Sequence, residues 1–242
     1  MMESQHILAL SSSRVGNSAY LEMAAPLIKS FLGESRQTIA FIPFASVDSY
    51  EAYEAKVKQG LPNLPHTIQL VTAANAKEIL ESSDVIMIGG GNTFKLTHDL
   101  YALDLIELIK SRVQTGTPYI GWSAGANLTG PTICTTNDMP VIQPKSFQAF
   151  GFFPFQINPH YYNLVLEGFN GETRDQRLEE FLKLNNNARI IGLPEGTALI
   201  RHDHTLLFEG QAQGVLMTRE DNLTIHQLIS PGTLLNEWLD TQ

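Results

Sequence analysis

The serine at position 123 lies in a pattern that is typical of a catalytic nucleophile. It is the centre of the run GWSAG at positions 121–125, which follows the apolar residues Tyr119 and Ile120. A serine at a sharp turn from a strand into a helix needs small neighbours two positions away on each side, because the turn crowds them and pushes the hydroxyl outward. Both positions are glycine here. We therefore predict a nucleophile elbow, against the alternative of a serine in a plain glycine-rich connection.

A serine hydroxyl is a poor nucleophile at neutral pH, so Ser123 needs a base, and histidine is the side chain whose pKa suits that task. The chain has seven histidines, and His160 differs from the others in its setting. Pro159 stiffens the backbone just ahead of the ring, and aromatic residues lie on both sides of it. We predict that His160 is the general base. The alternative is a hydrogen-bonded histidine packed among aromatic rings.

A carboxylate should hold the imidazole in the correct tautomer and stabilise its charged form. Glu195 is our candidate, because it follows the apolar run 190–193 and therefore lies at the carboxyl end of a predicted strand. Asp138, in the run TNDMP at 136–140, is the alternative orienting group. An Asx turn before the proline would also explain that aspartate.

Acyl transfer also requires backbone donors for an oxyanion, usually the N–H after the nucleophile and one from another strand-end loop. Ala124 supplies the first donor, and the glycine-rich run GGGNT at 89–93 can supply the second. A phosphate-binding loop is less suitable, because no lysine follows as in a P-loop and the G-x-G-x-x-G spacing is absent. A tight turn without a ligand is the remaining alternative.

Strands and helices alternate along most of the chain, and the strands are apolar almost throughout, which predicts a parallel sheet covered by helices on both faces. The carboxyl ends of such strands share one edge, so the turns at 89–91, 123 and 194–196 can meet there. After residue 197 short β-like runs predict C-terminal β-hairpins. The predicted strands are 7–10, 38–44, 67–71, 85–88, 119–122 and 190–193, the predicted helices are 20–32, 50–57, 73–80, 105–113 and 178–184, and the later β-like runs are 198–200, 205–208, 214–217 and 223–226.

The composition is that of a globular protein: 242 residues, 43% hydrophobic, with a net charge of −9. We expect a single domain over 1–242, because no linker or repeat divides the chain. The negative charge and the lack of a basic cluster argue against nucleic-acid partners, and no apolar run is long enough to predict a membrane span. Cys134 is the single cysteine, which excludes an internal disulfide. Residues 1–6 do not resemble a secretory signal, so we expect a cytoplasmic location.

With these motifs in view, the chain resembles the peptidase E family of serine peptidases, the α-aspartyl dipeptidases, whose fold is related to class I glutamine amidotransferases. The order Ser123, His160, Glu195 matches neither the α/β-hydrolases nor the chymotrypsin and subtilisin types. The resemblance rests on GGGNTF at 89–94, GWSAGAN at 121–127, TNDMP at 136–140, INPH at 157–160, GETRDQR at 171–177 and GLPEG at 192–196.

This resemblance implies that Ser123 is the nucleophile, His160 the base and Glu195 its partner, with an oxyanion hole around Gly91 and Ala124. It also implies hydrolysis of small peptide substrates, dipeptides with an N-terminal aspartate, without a metal or an organic cofactor. Two alternatives are cyanophycinase-like cleavage of β-aspartyl polymers and a non-catalytic binding module on the same scaffold. The sequence leaves the oligomeric state open.

An aspartyl substrate needs a cation for its β-carboxylate, best a bidentate guanidinium. Arg174 is the candidate, because it lies at the start of the predicted helix, where backbone N–H groups also favour an anion. The alternative is an arginine that pairs with Glu172 or Asp175 on an exposed helix start. Asp138 or Asn137 could accept the substrate's free α-amino group.

Overall fold

The computed structural model describes residues 5–164, 168 and 170–240, and these form two β-sheets with flanking helices. The strands are β1 (His6–Leu10), β2 (Thr38–Ile42), β3 (Thr67–Leu70), β4 (Val85–Ile88), β5 (Tyr119–Trp122), β6 (Gln156–Pro159), β7 (Ile190–Leu193), β8 (Thr197–His202), β9 (Thr205–Gly210), β10 (Gly214–Glu220), β11 (Leu223–Ile229) and β12 (Thr233–Leu234). The helices are α1 (Ala25–Leu32), α2 (Tyr50–Gly60), α3 (Ala76–Ser82), α4 (Thr93–Ala102), α5 (Ile106–Gln114), α6 (Ala124–Asn127) and α7 (Arg174–Leu184), followed by a short 3₁₀ helix at Asn236–Leu239.

The larger sheet has eight strands in the order β12-β9-β8-β1-β5-β4-β2-β3. The strands from β1 to β3 in this order pair in parallel, whereas β8, β9 and β12 extend the sheet in antiparallel pairs. In the register of β1 and β5, Leu10 lies opposite Trp122, so the residues that follow these two strands emerge side by side. This pairing places Ser11 and Ser123 at one edge of the sheet.

Helices cover both faces of the larger sheet because its central strands alternate between two buried clusters. Ile7 and Ala9 of β1 pack with α3, α4 and α5, whereas Leu8 and Leu10 pack with α1 and α2. Burying one such leucine or isoleucine side chain stabilises the fold by about 1.5–3 kcal/mol. The parallel strands are thus buried on both sides, as near-continuous apolar runs predict.

The second sheet has four strands in the order β11-β10-β7-β6. Strands β6 and β7 are parallel, with Pro159 opposite Leu193, and the hairpin of β10 and β11 completes the sheet. Helix α7 covers one face of this sheet, where Leu178 and Leu182 pack into a separate buried cluster. The residues that follow β6 and β7, including His160 and Glu195, therefore also emerge side by side.

The predicted α/β class, with a mostly parallel sheet and C-terminal hairpins, is confirmed. Two details differ. The sequence patterns did not predict β6, and β7 joins the second sheet instead of the larger one. The helix predicted over 20–32 begins only at Ala25, because Leu21 has a left-handed backbone with φ 58° and cannot be part of an α-helix.

Residues 1–4 of the N-terminal run that argued against a signal lie outside the described residues. None of the helices formed by the described residues is long and apolar enough to cross a bilayer. The single domain over 1–242 stays a prediction.

Candidate active site

Ser123 lies at a sharp turn between β5 and α6, with φ 53° and ψ −112°. Such a backbone is rare for a residue with a side chain, and it is found at functional turns. The neighbourhood is crowded: a Cβ atom at Gly125 would lie 2.4 Å from the carbonyl oxygen of Ile88. Glycine at this position is therefore required for the turn to pack against β4.

His160 lies between Ser123 and Glu195 and contacts both. Its Nε2 atom is 3.0 Å from Ser123 Oγ, and its Nδ1 atom is 2.9 Å from Glu195 Oε1. An ionised carboxylate can only accept a hydrogen bond, so Nδ1 carries the proton and Nε2 is left to accept from the serine hydroxyl. The three side chains predicted from the sequence are thus brought together in an arrangement that can activate an alcohol.

The hydroxyl of Ser11 links the two sheets next to this group. It is fully buried, it donates to the carbonyl oxygen of Leu193 at 2.7 Å, and it accepts from the backbone N–H of His160 at 2.9 Å. Leu193 O also accepts from the N–H of Tyr161. One side chain of the larger sheet thereby holds the ends of both β6 and β7.

Asn137 and Asp138 support the site from the loop before β6. Asn137 donates to the carbonyl oxygen of Pro159 at 2.7 Å and accepts from Asn158 at 2.6 Å, so it holds the strand end that precedes His160. Asp138 accepts from the backbone N–H of Thr93 at 2.7 Å, at the N-terminus of α4. The carboxylate beside the imidazole is therefore that of Glu195 and not that of Asp138.

The amides of Gly91 and Ala124 are available to a ligand. Among the described residues, neither N–H donates to a protein acceptor, although the neighbouring N–H of Asn92 bonds to Ala45 O at 2.8 Å. Gly91 has φ 138°, and a Cβ atom there would lie 2.3 Å from Ala45 O, so only glycine fits. Gly91 lines the cavity described below, and Ala124 directly follows Ser123, which also lines it, so both amides can act as oxyanion donors.

A directed chain of hydrogen bonds fixes the peptide before Gly91. Trp122 Nε1 donates to Tyr20 Oη at 3.1 Å, Tyr20 donates to Tyr53 Oη at 3.0 Å, and Tyr53 donates to Gly90 O at 2.9 Å. An indole N–H can only donate and a carbonyl oxygen can only accept, so Tyr53 must donate to Gly90 and accept from Tyr20, which sets the direction of the whole chain. Burial raises the pKa of Tyr20 and of Tyr53 above the ordinary value, which keeps both phenols protonated as donors.

This chain begins one residue before Ser123 and ends at the Gly90–Gly91 peptide. In a planar trans peptide the carbonyl and the following N–H point in opposite directions. Because Tyr53 holds the carbonyl of Gly90, it also sets the direction of the N–H of Gly91.

A cavity of ≈ 530 Å³ lies next to Ser123. Its lining includes Ser123, His160 and Gly91 together with Tyr20, Tyr53 and Lys56. The volume is sufficient for a dipeptide and falls within the usual range of ligand sites. Among the residues that the structure describes, no group of three or more His, Cys, Asp or Glu side chains could hold a metal ion.

Arg174 does not belong to the lining of this cavity. It is the first residue of α7, half-buried, and its guanidinium carbon lies 5.4 Å from the ring centroid of Tyr162. Within the described part of the chain it forms no ion pair, because Glu172 pairs with Arg177 and Asp175 bonds to Tyr161 and Asn163. Burial lowers the pKa of Arg174 below the ordinary value. The guanidinium thus packs on Tyr162, which follows His160 by two residues in the chain, and no carboxylate of the described residues pairs with it.

The sequence patterns did not identify Ser11 or Tyr53 as site residues. The run Ser11-Ser12-Ser13 directly follows an apolar strand, and polar side chains at the carboxyl end of a parallel strand were the available signal. Tyr53 lies within α2, far from every motif in the chain, and no local pattern marks it.

Comparison with known proteins gives one consistent result. Residues 7–208 match Peptidase family S51. The chain is 46% identical to a protein named Peptidase E from Nostoc sp. over 209 residues, 86% of each chain. It is 48% identical to one from Shewanella putrefaciens over 215 residues, 88% of this chain and 91% of that one. These matches confirm the family that the motifs predicted.

The fold is also similar to a crystal structure of a peptidase from an acI-B1 Actinobacterium. The TM-score is 0.69 at 19% identity, over 97% of this chain and 98% of that chain. This likeness supports the architecture described above.

The geometry predicts that a serine-directed phosphonate labels Ser123 covalently. His160 Nε2 is placed to take the hydroxyl proton, so His160→Ala should slow labelling by about 10²–10⁴-fold. Mass spectrometry of the labelled peptide is the measurement. Ser13→Ala, which changes another serine of the same cavity, is the matched control and should label at the normal rate. Labelling at equal rates with and without His160 would contradict the arrangement.

Proposed function

The chain belongs to peptidase family S51 and is a serine peptidase, and we propose that it hydrolyses dipeptides with an N-terminal aspartate through an acyl-enzyme on Ser123. The single observation that carries this proposal is the pair of contacts made by His160, 3.0 Å to Ser123 and 2.9 Å to Glu195. The aspartyl specificity is supported by the resemblance of the sequence motifs to those of the α-aspartyl dipeptidases.

In the proposed mechanism, Ser123 Oγ attacks the scissile carbonyl carbon while His160 Nε2 takes the hydroxyl proton. The imidazolium then gives this proton to the leaving nitrogen, the C–N bond breaks, and the amino acid X departs as an amine. Water next enters, His160 takes one of its protons, and the hydroxide attacks the aspartyl ester. The proton returns to Ser123 Oγ as aspartate leaves. Glu195 stabilises the charged imidazole in both halves.

The tetrahedral intermediates carry a negative oxygen, and we assign its stabilisation to the N–H groups of Gly91 and Ala124. Neither donates to a protein acceptor within the described residues. Donors that are already oriented need no reorganisation at the moment of reaction, which is why they are worth more than the same groups in water.

For the substrate's charged groups we assign Arg174 to the β-carboxylate and Asp138 to the α-ammonium. Arg174 has no carboxylate partner in the described part of the chain, and it stacks on Tyr162. The N–H of Thr93 bonds to only one carboxylate oxygen of Asp138, whereas the side-chain oxygen of Asn137 already accepts from Asn158. Asp138 is therefore the better acceptor of the two. The cytoplasmic location stays a prediction.

We expect the protein to hydrolyse Asp-Leu, and Ser123→Ala to abolish this activity, because no other group in the proposal can form the acyl-enzyme. Activity should persist in a chelator, since the proposed steps use only side chains and backbone amides. The measurement is release of free leucine, over a panel of Asp-Leu, Glu-Leu, Asn-Leu and isoaspartyl-leucine.

Full activity of the alanine variant would remove the nucleophile from the proposal. Faster turnover of isoaspartyl-leucine than of Asp-Leu would instead favour the cyanophycinase-like alternative. A chain that is labelled by no phosphonate and turns over no member of the panel would be a binding module.

Arg174→Met should reduce kcat/KM for Asp-Leu by about 10–100-fold, since a charge-assisted bidentate pair is lost, and should change turnover of Asn-Leu little. Arg177→Met is the matched control, because Arg177 lies on the same helix, is exposed and pairs with Glu172 at 3.6 Å. The measurement is kcat/KM of both variants on Asp-Leu and on Asn-Leu. An equal loss on Asp-Leu and Asn-Leu would argue against the assigned role of Arg174.

Tyr53→Phe should lower kcat by about 10–100-fold with little change in KM, because the Gly90–Gly91 peptide loses the bond that orients it. The loss stays below the 10²–10³-fold expected when a donor is removed outright. Tyr20→Phe is the comparison variant: it keeps the bond of Tyr53 to Gly90 and should cost less. A rise in KM at constant kcat would show that Tyr53 contributes only to substrate binding.

A further inference from the structure

Lys56 is a cation in the cavity that contains Ser123, and it has no acidic partner there. Its Nζ atom lies 4.5 Å above the ring centroid of Tyr20. In the region that the structure describes, no carboxylate lies within ion-pair distance of it. By contrast, Lys58 on the same helix pairs with Glu54 at 2.7 Å. A lysine that packs on an aromatic wall beside a reactive serine is a candidate for binding an anionic part of the substrate.

The charge around Lys56 is positive although the chain as a whole carries −9. Tyr20 and Lys56 also line a second cavity of ≈ 580 Å³, together with Arg14 and Lys29. Glu22 belongs to this lining, but its Oε2 atom already accepts from the backbone N–H of Ala19 at 2.7 Å. Asp48 also lines the first cavity, but among the described residues it forms no ion pair with Lys56.

Every dipeptide has a carboxylate close to the bond that is cut. By bond lengths, the C-terminal carboxylate carbon lies within about 4 Å of the scissile carbonyl carbon. A site that cuts free dipeptides must therefore meet a second negative charge near the nucleophile, on the side of the leaving amino acid. Arg174, assigned to the β-carboxylate, lies outside the lining of the cavity and cannot serve both groups there.

We propose that Lys56 binds the free C-terminal carboxylate of the dipeptide, on the leaving-group side of Ser123. This inference rests on the proposed function. It gives a physical reason for cutting dipeptides: the carboxylate of a longer peptide or of an amide is absent from that position. The ammonium is a point charge on a flexible stem, so it can follow carboxylates of different residues X.

The test compares Asp-Leu with Asp-leucinamide, which differ only in the C-terminal charge, in the wild-type chain and in Lys56→Met. The wild type should prefer Asp-Leu by about 2–5-fold in kcat/KM, a range typical of one accessible ion pair at a partly open site. In Lys56→Met, kcat/KM for Asp-Leu should fall by this factor because KM rises, and kcat/KM for the amide should equal that of the wild type. Lys56→Arg should retain most of the preference.

Lys58→Met is the matched control, because it removes an equal charge from the same helix and should leave both substrates unchanged. Equal losses on the two substrates in Lys56→Met would overturn the proposal and place Lys56 against the β-carboxylate or in the fold. No loss on either substrate would overturn it as well. A wild-type chain that cuts neither substrate would refute the proposed function itself, which separates that failure from a failure of the Lys56 assignment.

Discussion

The buried hydroxyl of Ser11 is the contact on which the geometry of the site depends. The nucleophile follows β5 of the larger sheet, whereas the base and its carboxylate follow β6 and β7 of the second sheet. Ser11 closes the gap between them by bonding Leu193 and His160 at once. Loss of that oxygen would leave the N–H of His160 without its partner, at a cost of about 1–3 kcal/mol for an unsatisfied group, whereas Leu193 O would keep the bond from Tyr161 N–H. The same loss would release the backbone that carries the imidazole.

The site also stores conformational strain that the surrounding structure must hold. Ser123 and His160 both have left-handed backbones, with φ of 53° and 51°. Each such residue costs on the order of 1–3 kcal/mol relative to a relaxed backbone, so neither conformation would persist in an isolated peptide. The bond from Ser123 N–H to Leu10 O and the bond from His160 N–H to Ser11 Oγ oppose this strain. The strain is useful because it directs a hydroxyl and an imidazole at each other before a substrate arrives.

The sequence could predict those features that depend on residues close together in the chain. Glycines at fixed spacing predict the elbow at Ser123, and short apolar runs predict the parallel strands. Strand β6 was not predicted because Asn158 and Pro159 are residues that are uncommon in strands. In the structure Asn158 is buried and bonds to Thr135 and Asn137. Other features depend on contacts between residues far apart in the chain, and no local pattern predicts them. These are the pairing of β7 in the second sheet, the bonds of Ser11 and the bond from Tyr53 to Gly90.

Charge is the last constraint, because the proposed substrate and the protein have the same sign. An Asp-X dipeptide with a neutral X carries two carboxylates and one ammonium near neutral pH, hence −1, and the chain carries −9. At physiological ionic strength charges are screened beyond about 8 Å, so the total matters less than the groups that face the cavity. Those include Lys56, with Arg14 and Lys29 in the adjoining cavity. A local excess of cations can therefore hold an anionic dipeptide that the protein as a whole would repel.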